Sequence, residues 1–317
     1  MAPHTAWTLT TGEEGMRTQA RGLATAVADV VVEQTLRRGP LDWLPGRQAP
    51  FAPPWPDILI SCGRRSVWAS RAIRKAAQGR TVTVHIQDPK VSAKHFDLVV
   101  AMAHDRIAAG GNVTKVETAL HDLTPQKLAI AVAAWRDRLK LPFVGVLVGG
   151  DTARGQFSPE DQNRLISGLM RLRRDGGTAL AITGSRRTPP AFLHRLRETF
   201  TGDPAVFVWD GQGDNPYLGI LGLADALVVT GDSVSMISEA LAAGAPVEVL
   251  DLNIPAYRPF LDRLIQSGHI RSFTGEAIDW PSAGPLNATL NAAETVKSVI
   301  DRRVDLGTPT GTGRSNP

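Results

Sequence analysis

ALVVTGDSVSMISEALAAGAPVEVL, residues 226–250, carries the pattern that decides the fold class. The apolar run 226–229 shows no polar alternation, as is usual for a strand buried on both faces. Thr230-Gly231-Asp232-Ser233 then turns the chain. Beyond it Met236, Ile237, Ala240 and Leu241 recur three and four apart, the spacing of one buried helix face. Gly244 and Pro246 end that helix, and residues 247–250 form a second apolar strand. Strand, polar turn, helix, strand is the unit from which parallel sheets are built. Hydroxyls and unpaired backbone N–H groups converge where the helix begins, and the helix dipole favours an anion there. Glu239 follows on the same helix. A carboxylate beside a phosphate cradle suits ribose hydroxyls, so the pattern points to a nucleotide or nucleotide-sugar.

The same rhythm runs outward in both directions. Strands are expected at 7–10, 58–61, 82–86, 98–101, 113–116, 143–148, 179–183, 206–209, 226–230 and 247–250. Helices are expected at 15–36, 66–78, 125–138, 159–175, 189–199, 217–224 and 233–243. The whole reads as α/β with parallel sheets. At 317 residues the chain exceeds one typical core. A break at Lys140-Leu141-Pro142, after a helix and before a fresh strand, divides it into 1–140 and 141–303. Residues 39–56, rich in Pro and Trp, read as an irregular surface excursion, and 304–317 as a disordered tail.

Bulk properties exclude several classes. A net charge of +4 is too small to argue for nucleic acid. Cys62 is the single cysteine, so no internal disulfide or thiolate metal cluster can form, which fits a reducing cytoplasm. MAPHTAWTLTTGEEG lacks the charged and apolar regions of a secretory signal. No run of 18 apolar residues is present, so peripheral contact is the expected form of any membrane association. The seven histidines show no metal-binding spacing, so no metal is expected. Nor is there a GxSxG elbow, a GK[ST] loop or a dinucleotide fingerprint.

In the second half three strands end in polar, glycine-bearing turns: Gly149-Gly150-Asp151-Thr152, Thr183-Gly184-Ser185-Arg186-Arg187, and Thr230-Gly231-Asp232-Ser233. Carboxyl ends of parallel strands share one edge, where α/β proteins bind ligands. Glycine admits a phosphate close to the backbone, hydroxyls donate to it, and a guanidinium can hold two of its oxygens. Singly, each turn is an ordinary strand-to-helix connector; together they mark Gly149, Gly150, Thr183, Ser185, Arg186, Asp232, Ser233 and Glu239 as a candidate nucleotide-sugar site. Asn215, in the polar loop 209–217, is placed either against the sugar or base, or as the cap of the next helix with Pro216.

In the first half, Thr11-Gly12-Glu13-Glu14-Gly15 is another strand-to-helix turn. Its acids disfavour phosphate and suit an acceptor hydroxyl, with Glu14 as a candidate base; equally, they complement the helix dipole. Gly63 and Arg64 follow the strand at 58–61 and are candidates for acceptor or anion contact. From Arg64 to Arg80 there are six basic residues and no acid, with Arg71, Arg74, Lys75 and Gln78 expected on one helix face and Trp68, Ala72 and Ala76 on the other. Such a face is a solvated surface or a contact for anionic headgroups. Asp88 and His104, each after a strand, are further candidate bases.

Several motifs carry a family resemblance: GRRS (63–66), HIQDPKV (85–91), FDLVV (96–100), TGSRRTP (183–189) and NPYLGILGLADALVVTGDSVSMISEA (215–240). With them the chain resembles a family of glycosyltransferase-like proteins related to the plant mitochondrial fission factor named for elongated mitochondria. The resemblance runs to about residue 279. It implies the glycosyltransferase B-fold: two Rossmann-like parallel-sheet domains facing a cleft, the donor on the second and Glu239 at its ribose. It also implies that the helix near 292–303 crosses back onto the first domain. The family carries T-D-G-x-x-G in the first loop, where this chain has Thr10-Thr11-Gly12-Glu13-Glu14-Gly15. The first acid is therefore missing.

The expected activity is metal-independent sugar transfer from a nucleotide diphosphate sugar, with no further cofactor and with a lipid or glycolipid as an acceptor class. Two rivals share the fold: a non-catalytic scaffold, as fission relatives suggest, and a nucleotide-sugar epimerase, which needs no acceptor.

Overall fold

Apolar runs without alternation need cover on both faces, and helices supply it in each half of the chain. The computed structural model describes residues 4–37 and 49–307. Contacts divide the chain into two compact units, Met1–Asp122 with Ala288–Pro317, and Leu123–Asn287.

The first unit contains β1 (Thr5–Thr10), α1 (Glu14–Val27), β2 (Val30–Thr35), β3 (Ile58–Cys62), α2 (Val67–Ala76), β4 (Val82–Ile86), β5 (Leu98–Met102) and β6 (Val113–Val116). Its sheet is parallel in the order β2-β1-β3-β4-β5-β6. Every residue of β3 and β4 is buried, the polar Ser61, Thr83 and His85 included, as expected of strands covered on both faces.

The second unit contains α3 (Pro125–Trp135), β7 (Phe143–Val148), α4 (Pro159–Gly176), β8 (Ala179–Gly184), α5 (Pro190–Thr199), β9 (Val206–Val208), α6 (Tyr217–Leu223), β10 (Ala226–Thr230), α7 (Val234–Ala243), β11 (Val247–Leu250), α8 (Arg258–Gln266) and β12 (Ile270–Ser272). Its sheet is also parallel, in the order β12-β11-β10-β7-β8-β9. The chain builds outward from β7 to β9, then returns to the other side of β7 with β10. That reversal creates a crevice at the carboxyl ends of β7 and β10, the usual ligand position in open α/β sheets.

The last helix, α9 (Ala288–Gly307), belongs to the first unit. Its Ala292, Ala293, Val296 and Ile300 join Leu23, Val27, Ile60 and Val84 in one core. Thr289 Oγ1 accepts the His121 N–H and donates to the His121 carbonyl, both at 2.8 Å. Its carboxyl-terminal end is tied down where Arg303 meets Asp97 at 3.1 Å.

The units do not follow the expected division at 140. α3 packs on α6 within the second unit, because two glycines open that face. A Cβ on Gly219 would lie 2.5 Å from Trp135, and one on Gly222 2.6 Å from Val132. The helix expected at 15–36 is two elements. Its apolar spacing ends at Val27, Ala28 is extended, and Val30-Val31-Val32 is a β-branched run that pairs with β1. The tail expected from 304 is helical to Gly307, and residues 308–317 lie outside the described residues. Of the excursion at 39–56, residues 39–48 also lie outside them. The rest is packed: Phe51 and Trp55 meet Trp7 edge to face, each with centroids 6.0 Å apart.

Candidate nucleotide site in the second unit

The three turns expected to converge do so, because β10, β7 and β8 are neighbours in the sheet. Asp232 ties them together. Its side chain is fully buried and accepts from the Gly150 N–H at 3.0 Å, from Thr230 Oγ1 at 2.7 Å and from Arg187 Nη1 at 2.9 Å. The Gly149 N–H donates to Thr230 Oγ1 at 2.7 Å. Both glycines are sterically required. A Cβ on Gly149 would sit 2.1 Å from the Asp232 carboxylate, and one on Gly150 1.9 Å from the Arg187 carbonyl. Gly149 and Gly150 thus hold the turns against one another, and their N–H groups are used within the protein.

The turn after β8 is braced from below. The Ser185 N–H donates to the Val148 carbonyl and to Thr188 Oγ1, both at 2.8 Å, and the buried Thr188 hydroxyl reaches the Gly149 carbonyl at 2.5 Å. Ser185 Oγ accepts from the Arg187 N–H at 3.2 Å, while Thr183 is buried within β8. From this turn the Arg187 guanidinium, although 39% exposed, reaches Asp232, whereas the exposed Arg186 does not. The arginine singled out from the sequence is therefore not the one that meets the other turns. Arg187 Nη1 also donates to the carbonyls of Gly150 and Asp151, at 3.2 and 3.3 Å.

Above the turns lies a cavity of about 500 Å³ lined by Asp151, Thr152, Ala153, Arg187, Asp232, Ser233, Val234, Ser235 and Tyr257. Ser233 caps α7 by accepting the Met236 N–H at 3.4 Å. The N–H groups of Val234 and Ser235, in the first turn of α7, have no intrahelical acceptor. Hydroxyls, the first turn of α7 and one guanidinium line this space together with the carboxylates of Asp151 and Asp232, the latter paired with Arg187, a lining that suits a sugar hydroxyl and, at the helix start, a phosphate. Among these, Ser235, Tyr257 and Arg187 escaped the sequence reading. Ser235 was legible as a second hydroxyl in the first turn of α7. Tyr257 had no local signal, since it lies far along the chain before α8.

Glu239 is six positions beyond Ser233, about 9 Å along the helix axis. Its Oε2 accepts from the Tyr217 hydroxyl on α6. Loss of water and the adjacent carboxylate push the Tyr217 phenol well above its usual pKa. Asn215 Oδ1 accepts the Tyr217 N–H at 2.9 Å, so Asn215 acts as a cap at the entrance to α6.

In the first unit the candidate bases stand apart. Glu14 is exposed and pairs with Arg17 at 3.4 Å, as an acid in the first helical turn commonly does. Asp88 is bound by Lys90 at 2.6 Å; burial pushes its carboxyl up, but Lys90 and Lys115 outweigh this and hold it below the usual range. His104 is exposed just after β5. Since β5 is three strands from β1, about 14 Å separates the strand ends that carry His104 and Glu14, too far to share a proton. Gly12 and Gly63 both have positive φ, at 92° and 87°. A Cβ on Gly63 would come within 2.2 Å of Met16 Sδ, whereas Gly15 has open space around it and Arg64 is exposed.

Two buried histidines in this unit lose their charge through burial. His85, bonded to Ser61 Oγ at 2.9 Å, is pushed down to about 4, and so is His121. Among the described residues, no helix is long and apolar enough to cross a membrane.

Comparison with known proteins agrees with this architecture. A UDP-GlcNAc 2-epimerase from Methanocaldococcus jannaschii, solved with UDP-GlcNAc and UDP, superposes with a TM-score of 0.53 at 13% identity, covering 93% of this chain and 99% of that one. The UDP-GlcNAc 2-epimerase from Neisseria meningitidis, bound to UDP-GlcNAc, gives 0.54 at 11% identity, with 94% and 99% covered. At such identities the likeness shows the fold, that of the glycosyltransferase B-fold. In sequence the chain is 30% identical over 280 residues to the mitochondrial fission protein ELM1 of Arabidopsis thaliana. That alignment covers 78% of this chain but 65% of the plant protein, less than two thirds of its length. The family model described as mitochondrial fission ELM1 matches residues 14–300, and the chain therefore belongs to that family.

Proposed function

We propose that the unit Leu123–Asn287 binds a nucleotide diphosphate sugar and that the protein transfers its sugar without a metal. The observation that carries this reading is the cavity at the β7/β10 reversal, with Arg187, Ser233 and Ser235 on its wall and Glu239 farther along α7. The diphosphate meets the first turn of α7 and Arg187, and the ribose hydroxyls meet Glu239. In the transfer an acceptor oxygen bonds to the anomeric carbon, the anomeric carbon–phosphate oxygen bond breaks, and the nucleoside diphosphate leaves with that electron pair. Helix N–H groups and a guanidinium stabilise the charge growing on it. The first unit, with Gly12, Gly63 and Arg64 at the ends of its strands, is the acceptor side. A lipid or glycolipid acceptor agrees with the exposed basic residues of α2, and His104 receives the acceptor proton.

Titration calorimetry with nucleoside diphosphates, followed by assays of sugar-nucleotide consumption, tests the proposal. Binding that is lost in Glu239→Ala supports it; absence of binding to any nucleotide defeats it. A second reading, a non-catalytic scaffold, is favoured by one observation: Asp232 already occupies the Gly150 N–H and pairs with Arg187. Nucleotide binding without turnover, with acceptors of several classes, would favour the scaffold.

A further inference from the structure

Tyr217 and Glu239 are 22 residues apart and stand on different helices, so the crossover from α6 through β10 to α7 builds their contact. Tyr217 is the first residue of α6 and its entry is fixed by Asn215, whose side chain accepts its N–H. Its hydroxyl donates to Oε2 of Glu239. Holding a glutamate side chain in one rotamer for a ligand costs entropy at the moment of binding. A phenol donating to one oxygen removes much of that cost beforehand. Loss of water and the neighbouring carboxylate keep the phenol protonated, so the donor persists at neutral pH.

We infer that Tyr217 is a positioning residue that orients the Glu239 carboxylate toward the ribose 2′-hydroxyl and so makes the site select ribonucleotides over 2′-deoxyribonucleotides. This rests on Glu239 being the ribose acceptor. A hydroxyl bonded to a carboxylate contributes a discrimination that the deoxy ligand cannot recover. The loss of Tyr217 therefore falls on the ribonucleotide alone.

The test is calorimetric titration of the full chain with UDP and with 2′-deoxy-UDP, comparing the parent, Tyr217→Phe and Glu239→Ala. The parent is expected to bind UDP about tenfold more tightly than the deoxy ligand, and Tyr217→Phe to reduce that ratio to about threefold or less. The affinity of Tyr217→Phe for 2′-deoxy-UDP stays at the parental value. A merely structural role would weaken both ligands together and leave the ratio intact, and that result overturns the inference. Asn215→Ala, an exposed change that loosens the entry to α6, should shift the ratio in the same direction and serves if Tyr217→Phe does not fold. If Glu239→Ala abolishes discrimination while Tyr217→Phe and Asn215→Ala preserve it, the inference falls and the ribose site stands. If the parent fails to bind UDP, or Glu239→Ala leaves the ratio unchanged, the ribose reading falls and the inference with it.

Discussion

Arg187 and Arg186 are chemically identical neighbours with different environments. Both are exposed, but only Arg187 bonds the fully buried Asp232 carboxylate. Replacing Arg187 with alanine leaves a buried charge without its cation. Because the guanidinium is itself 39% exposed, the expected loss is about 1–3 kcal/mol, the low end for broken buried pairs. Arg186→Ala should fall within about 0.5 kcal/mol of the parent. Urea unfolding of both variants decides this, and equal midpoints would refute the assignment. If the diphosphate reading holds, Arg187→Ala also loses nucleotide affinity, and Arg187→Lys recovers only part because lysine lacks the fork.

His85 and His121 make a second prediction at this scale. Both are held neutral, from a usual value of 6.5 to about 4, by burial, with Asp88 and Asp122 opposing weakly. In the unfolded chain they protonate near 6.5. Between those values the unfolded state binds more protons, so stability is complete above about pH 6.5 and declines as the pH falls toward 4. A displacement of this size corresponds to about 3 kcal/mol for each ring. Urea unfolding at pH 7.5 and 5 should register about 2 kcal/mol of this for each ring, the remainder being lost as the pH falls on toward 4. Proton NMR of the imidazoles should show neither ring titrating near 6.5, and a ring that does so overturns its assignment.

Among the elements, α2 shows what amphipathic reading captures and what it misplaces. The basic run was evident, but the buried face is Val67, Ala69, Ser70 and Ile73, not Trp68, Ala72 and Ala76. A short 3-10 turn, Arg64–Ser66, leads into this helix. Arg74 is tied to Asp97 at 2.9 Å, whereas Arg71 and Lys75 are exposed. Arg71 and Arg74 also help to depress His95, after burial, which places a third basic group beside them. We expect this face to bind vesicles containing anionic lipid and to ignore neutral ones. Each basic residue contributes about 1 kcal/mol, screened as salt rises. Flotation with Arg71→Glu/Lys75→Glu should abolish the binding; equal behaviour of parent and variant would leave the face as ordinary solvated surface. The α1–β2 boundary teaches the complementary lesson. The helical spacing ends at Val27, and the β-branched run from Val30 is taken into the sheet by pairing with β1.

For the whole molecule, the two units differ in how the chain completes them. The unit Leu123–Asn287 is one continuous segment with its own core, centred on Leu165, Leu169, Phe192 and Val228. The first unit borrows α9 from the far end of the chain, with Ala292 and Val296 fully buried. A fragment spanning 123–287 should therefore fold cooperatively alone. One spanning 1–122 should not, because its core would lie open where α9 sits. Circular dichroism with urea titration of both fragments checks this, and a cooperative transition in the 1–122 fragment would contradict it.

The sequence by itself determined the alternation of strands and helices, the parallel sheets, and the three turns that meet at one edge. These follow from local period, glycine and proline placement, and unalternating apolar runs, all of which act within a few residues. It also marked Asp232, Ser233 and Glu239, because a helix start announces itself in its own residues. Tertiary structure alone decided that Arg187 rather than Arg186 pairs with Asp232, that Tyr217 reaches Glu239, that α3 leaves the first unit and that α9 enters it. Each of these depends on side chains brought together from distant positions, where packing, burial and charge pairing outweigh local preference.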